Sequence, residues 1–181
     1  MRIISGKLRG REIKGYNIDG TRPTMARVKE SMFAIIQNEI KDSVCLDLFS
    51  GSGNLGIEAI SNGAKMCYFV DNNKAAINTI KDNIDKLGIK DKSIVINSDY
   101  LDALDKFRKE KIKFNIVFLD PPYKEDVIND ILNYLYKQKL LKRNATVICE
   151  YENQIRENNY YDVQKEKKYG YKKVGIYVPK M

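Results

Sequence analysis

Two hydrophobic rhythms alternate along this chain from residue 43 onward. Short, nearly continuous apolar runs take turns with segments whose apolar residues recur every three or four positions. The runs at 44–49 (VCLDLF), 66–71 (MCYFVD), 93–99 (SIVINSD), 114–120 (FNIVFLD) and 145–151 (ATVICEY) predict five buried strands. Between them, 55–63, 74–88, 100–109 and 125–141 predict helices, with Gly63 and Gly88 as stop signals for the first two. Upstream, residues 25–40 space Val28, Met32, Ile35, Ile36 and Ile40 as one helical face. Downstream the rhythm changes: 160–169 and 172–179 read as two strands around Gly170, hence an antiparallel hairpin.

Strands that are apolar throughout and separated by helices form a parallel sheet covered on both faces. The expected fold is therefore α/β and Rossmann-like: a mainly parallel seven-stranded sheet with a C-terminal antiparallel hairpin and helices on both faces. Residues 1–20 predict a short basic hairpin. We divide the chain into an arm, 1–24, that extends a single domain, 25–181; a chain of 181 residues has length enough for one real core.

Composition changes this picture in three places. There is no histidine, so neither a Ser-His-Asp or Cys-His nucleophile system nor a histidine-ligated metal site can be built, and no metal is expected. The three cysteines, Cys45, Cys67 and Cys149, are scattered through predicted strands and read as core residues. The net charge of +8 is uneven: residues 1–29 hold eight basic side chains against Glu12 and Asp19, leaving +2 for the rest. Such an arm suits phosphate contacts, and Arg2, Lys7, Arg9, Arg11 and Arg22 are its candidate nucleic-acid ligands. A lysine-rich composition with a merely solvated face is the plain alternative. No apolar run is long enough to span a membrane and the N-terminus has no signal-peptide pattern, so the chain reads as cytoplasmic. The lack of a long apolar surface helix predicts a monomer.

Candidate chemistry gathers where the strands end. In doubly wound sheets, ligands sit beyond the carboxyl ends of the strands. Here those ends carry Asp47 and Phe49, Asp71 and Asn72, Asp99 and Tyr100, and Asp120-Pro121-Pro122-Tyr123. Gly51, Gly53 and Gly56 follow the first strand in a G-x-G-x-x-G spacing that fits several nucleotide cofactors, NAD among them. Asp47 discriminates. A carboxylate beside the glycine loop would repel a pyrophosphate but attract a ligand with a positive end. S-adenosylmethionine, with an ammonium and a sulfonium and no phosphate, suits this acidic rim better. Asp71 is positioned for ribose hydroxyls.

The glycine stretch DLFSGSGNLGIEA followed by DPPY resembles the S-adenosylmethionine-dependent amino-methyltransferases. With RIISGKLRGREI and TRPTMARVKESMF in the same order, the whole chain resembles the RsmD family of 16S rRNA guanine-N2 methyltransferases. That resemblance implies S-adenosylmethionine as methyl donor, S-adenosylhomocysteine as product, and 16S rRNA in an assembled or nearly assembled small subunit as partner. It places Gly51, Gly53 and Gly56 along the methionine part, Asp47 near the ammonium, Asp71 on the ribose, and Asp99 with Tyr100 at the adenine. Thr24 and Arg27 fall in a block beside the methionine end, with Arg27 equally able to pair with Glu30 or Glu58. Glu58 itself reads as structural.

Asp-Pro-Pro-Tyr suits an exocyclic amine, whose lone pair is delocalised into the ring. Asp120 and the Pro121 carbonyl offer two acceptors for its two N–H groups, and Pro121 and Pro122 restrict the backbone that carries them. Tyr123 offers a stacking surface worth roughly 1–3 kcal/mol for a base. The target base must be flipped or unstacked to reach them. The alternatives are an adenine-N6 DNA or RNA methyltransferase, or a non-catalytic RNA-binding assembly factor. A protein-glutamine methyltransferase would resemble Asn-Pro-Pro-Tyr instead, and an oxidoreductase rests on the glycines alone.

Overall fold

A computed structural model describes residues 1–15, 23–122, 126–153, 155 and 157–181, without the side chains of 23–25 and 126. Helix α1 (Pro23–Ile40) leads into β1 (Val44–Asp47), and four helices then alternate with strands: α2 (Asn54–Ser61), β2 (Met66–Asp71), α3 (Lys74–Leu87), β3 (Ser93–Asn97), α4 (Tyr100–Lys109), β4 (Phe114–Leu119), α5 (Asp126–Lys137) and β5 (Leu141–Tyr151). Strands β6 (Tyr161–Tyr169) and β7 (Lys172–Pro179) complete a seven-stranded sheet in the order β3-β2-β1-β4-β5-β7-β6. Strands β1 to β5 pair in parallel, and β7 inserts antiparallel between β5 and β6. The chain reverses its direction of travel across the sheet between β1 and β4, which is the switch point where such folds bind ligands.

Alternate strand residues feed two cores. Cys45, Phe69, Ile116, Phe118 and Ile148 face α1, α2 and α3; Leu46, Val70, Val117, Leu119 and Val147 face α4 and α5. That two-sided burial explains why the strands read as apolar without alternation. All three cysteines are free and buried, as expected of core residues.

The helix boundaries differ from the sequence expectation where no glycine marks the stop. Helix α3 ends at Gly88 (φ 67°), whose N–H donates to the Asp85 carbonyl while Ile89 N–H donates to Ile84. Helix α5 ends the same way at Lys139 (φ 57°), with Lys139 N–H donating to Tyr136 and Leu140 N–H to Leu135. A lysine thus takes the left-handed position usually held by glycine. The expected helix over 125–141 therefore stops at Lys137, and β5 starts four residues before the expected 145. An irregularity follows at once: the β4–β5 register shifts between Phe114 and Ile116, and Asn144 lies at φ 63°.

The arm is a hairpin closed by an Arg2–Glu12 bridge, and Ile3 and Ile13 join the core beneath α1. Its turn meets the far end of α2, where Lys7 N–H donates to the Ser61 carbonyl at 2.8 Å. Gly6 makes this possible: a Cβ there would lie 2.0 Å from the Ser61 carbonyl oxygen. Among the described residues, no helix is long and apolar enough to cross a membrane.

Candidate active site at the carboxyl edge of the sheet

The loop after β1 is built from local hydrogen bonds. Ser50 N–H donates to the Val70 carbonyl, and the Ser50 hydroxyl accepts from Val70 N–H at 3.0 Å, so one residue stitches the loop to β2. Gly51 (φ 57°) and Gly53 (φ 85°) take the left-handed conformations that the tight turn into α2 requires. Gly56 has another role. A Cβ there would meet the Phe69 ring at 2.3 Å and the Cys67 sulfur at 2.7 Å, so it lets α2 lie close against β2.

The carboxylates expected at the strand ends share one edge. Asp47 pairs in register with Phe69 and Phe118, so Asp71 and Asp120 each stand two residues further along on flanking strands. Asp71 organises the loop, accepting from Gly51 N–H at 2.9 Å through Oδ2 and from Asn73 N–H at 2.9 Å through Oδ1. Asp99 caps α4, accepting from Asp102 N–H at 2.9 Å. Phe49 and Tyr100 meet as a tilted ring pair with centroids 5.4 Å apart, bridging the ends of β1 and β3. Asn72 and Arg27 are exposed.

Asp47 is the electrostatic anomaly. It is buried, and its Oδ2 accepts from Gly56 N–H at 3.0 Å. Burial raises its carboxyl from the usual carboxylate range to about 7, the Gly56 hydrogen bond opposes that, and Asp71 adds to it. Among the described residues no lysine or arginine forms an ion pair with it. A buried carboxyl without a cation is what an ammonium-bearing ligand would complete.

Asp120 lies one residue beyond β4 with a face open to solvent, while Pro121 is half-buried and Pro122 exposed. Although water reaches it, protein atoms crowd it closely. That desolvation, and then the Glu150 carboxylate, push its carboxyl well above the usual range; Lys172 opposes them. Glu150 on β5 in turn pairs with Lys172 Nζ on β7 at 3.1 Å. Neither residue was foreseen from sequence, because only the insertion of β7 beside β5 brings Lys172 there.

Two expected site residues, Arg22 and Tyr123, lie outside the described residues, and Thr24 falls in the first turn of α1, where the backbone alone is described. Arg27 does not pair with Glu58; Lys29, missed in the sequence, does. Its Nζ lies 2.9 Å from Glu58 Oε1, 2.8 Å from Asn54 Oδ1 and 3.0 Å from the Arg2 carbonyl, with both charged side chains buried. The other side of Glu58 accepts from Ser5 N–H and its hydroxyl, and Oε1 also accepts from Ile4 N–H. Glu58 is thus the structural residue expected: it clamps the arm to α1 and α2. Arg2, Lys7, Arg9 and Arg11 are all exposed, but the turn carrying Lys7 and Arg9 sits at the opposite edge of the sheet from Asp120. Helix α2, about 12 Å long, separates the two edges.

A β3-β2-β1-β4-β5-β7-β6 sheet with one antiparallel strand, a glycine loop after β1 and acidic strand ends defines a Rossmann-like methyltransferase. The comparisons with known proteins agree. The model of the family described as "Conserved hypothetical protein 95" matches residues 1–178, and the chain belongs to that family. Among its relatives are the putative rRNA methyltransferase YlbH of Bacillus subtilis, 38% identical over 86% of this chain and 84% of that protein, and ribosomal RNA small subunit methyltransferase D of Buchnera aphidicola, 39% identical over 83% and 77%. The solved structure of the putative methyltransferase yhhF from Escherichia coli superposes with a TM-score of 0.89 at 30% identity, covering 99% of this chain and 98% of that one.

Proposed function

We propose that this protein transfers a methyl group from S-adenosylmethionine to the exocyclic N2 amine of a guanine in 16S rRNA. The observation that carries the reading is the pairing, across the switch point, of the buried Asp47 beside the glycine loop with the solvent-reachable Asp120 at the end of β4. Asp47 takes the cofactor's ammonium, Gly51 and Gly53 bring the backbone close to its methionine part, and Asp71 keeps lone pairs for ribose hydroxyls. Asp99 and Tyr100 border the adenine, with Phe49 supporting the Tyr100 ring. The bound cofactor supplies an electrophilic methyl group; the chain's task is to hold and orient the amine.

For that task Asp120 and the Pro121 carbonyl accept the two N–H groups, leaving the nitrogen lone pair aimed at the methyl carbon. Holding the reacting atoms in line is worth roughly 7–11 kcal/mol of barrier. Pro121 and Pro122 keep the acceptors from reorganising, and Tyr123 backs the base. The exposed Arg2, Lys7, Arg9 and Arg11, together with Arg22, take phosphates, with Thr24 and Arg27 at the cofactor's methionine end. A ligand that touches both Asp120 and the arm's turn must reach around α2, which favours a large substrate such as an assembled or nearly assembled small subunit. Residues 1–24 are read as an extension of the domain 25–181, since Ile3 and Ile13 belong to its core.

The test is transfer of labelled methyl to three substrates: small subunits lacking the modification, naked 16S rRNA, and duplex DNA. Label at guanine N2 in the subunits is the expected result. Label in DNA alone, or at adenine N6, would overturn it, and no transfer to any of the three would favour a non-catalytic assembly factor.

A further inference from the structure

The Asp120 neighbourhood contains two groups for which the reading above has no use. Strand β5 lies beside β4 with Leu119 opposite Cys149, so the next residues of the two strands, Asp120 and Glu150, stand side by side. Their neighbours of equal parity, Phe118 and Ile148, both face α1, which puts the two carboxylates on one face of the sheet. Strand β7 then brings Lys172 to Glu150 at 3.1 Å. Glu150 is mostly buried, its side chain only 15% exposed, whereas Asp120 is open. A mostly buried carboxylate is thus held by one lysine, beside the carboxylate that the reading above assigns to the substrate amine.

We propose that Glu150, anchored by Lys172, is a positioning residue that makes Asp120 the acceptor of the proton released by the methylated amine. The inference rests on the methyl-transfer reading of Asp120. In the transfer, the nitrogen–carbon bond forms from the nitrogen lone pair as the carbon–sulfur bond breaks, and that bonding pair stays on sulfur. The nitrogen then carries one hydrogen too many. That proton passes to Asp120, and the carboxyl so formed donates a hydrogen bond to Glu150. Two carboxylates side by side bind one proton more tightly than either alone, because the first proton relieves their repulsion. Lys172 limits the effect, so the pair can still release the proton before the next turnover.

The charged groups acting on Asp120 come from three strands: Glu150 on β5, Lys172 on β7 and, more weakly, Asp47 on β1. Glu150 and Lys172 act in opposite senses, which gives the proposal a signature that loss of packing cannot mimic. Measured on modification-deficient small subunits, the single-turnover rate of the wild-type protein rises with pH through the ionisation of Asp120. In Glu150→Gln that limb moves to lower pH and the plateau rate falls, since Asp120 is a weaker base without its partner. In Lys172→Met the limb moves to higher pH.

Thermal melting and cofactor binding of each variant identify any that misfold; should Glu150→Gln do so, Lys172→Met alone carries the test. Two limbs that stay at the wild-type pH, or that move in the same direction, would overturn the proposal. If wild-type protein transfers methyl but Asp120→Asn does so equally well, the reading of Asp120 fails instead, and the two failures are distinguishable.

Discussion

Two lysine–carboxylate clusters of this protein are close in composition and opposite in construction. Beneath the arm, Lys29 and Glu58 are buried and saturated: the lysine has three oxygen partners, and the glutamate accepts from Ile4, Ser5 and Lys29. At the carboxyl edge of the sheet, Asp120 faces a second carboxylate, shares one half-exposed lysine with it and remains open to solvent. The first cluster uses charge to hold two chain segments together. The second leaves a carboxylate reachable from solvent beside a like charge, as a site that must accept a hydrogen bond or a proton requires. Solvent access, rather than residue type, separates the two.

The sharpest break of this contrast is Asp120→Asn. Methyl transfer should fall by about 10²–10⁴-fold, the usual weight of a lost acid–base group. Stability should move the other way. Folding raises the Asp120 pKa, so its stabilising contribution is complete below the ordinary aspartate value and is lost as pH rises through the raised one. The variant should therefore melt at a higher temperature than wild type at pH 8, with the gain shrinking as the pH is lowered. A lower melting temperature at pH 8 would put Asp120 in the structural class.

Lys29→Met is the mirror experiment. It strands Glu58 in the interior, which costs about 3–5 kcal/mol, read as a lower denaturant midpoint. Protein that remains folded at low temperature should still bind the cofactor. If the midpoint hardly moves, the clamp is not what holds the arm.

Asp47 lies between the extremes, buried like Glu58 but with no ion-pair partner among the described residues. Its carboxyl is raised to about 7, so wild-type stability should decline from this group as pH rises from about 4 through 7. A ligand supplying an ammonium reverses the sign: melting-temperature gains from S-adenosylmethionine should grow over that window, and Asp47→Asn should flatten them. The smallest effect expected is at Arg2, whose ion pair with Glu12 is exposed on both sides. Arg2→Ala should leave the melting temperature within error, since exposed pairs contribute little, while any loss of subunit affinity would be steeper at low salt.

Much of this was readable along the chain. Apolar runs and three-to-four spacing marked every strand and helix from β1 to β7, and G-x-G-x-x-G and Asp-Pro-Pro-Tyr marked the edge where ligands bind. The errors have local causes. The α5 boundary slipped because Lys139 occupies a left-handed position without glycine to announce it. Glu58 was read correctly as structural, yet its partner was sought in Arg27 rather than Lys29. Both basic residues belong to α1, and only packing decides which one points inward.

The sequence by itself determined what depends on neighbours in the chain: element types, the turn glycines, the acidic strand ends, and the rigid acceptor after β4. These follow from backbone sterics and side-chain periodicity, which act over a few residues. The tertiary structure alone decided which distant residues meet. Strand order puts Glu150 beside Asp120 and carries Lys172 across from β7, more than 50 positions along the chain from Asp120. It also turns the basic tip of the arm toward the edge opposite Asp120. Such meetings are set by how layers pack around a shared core, and no local pattern specifies them.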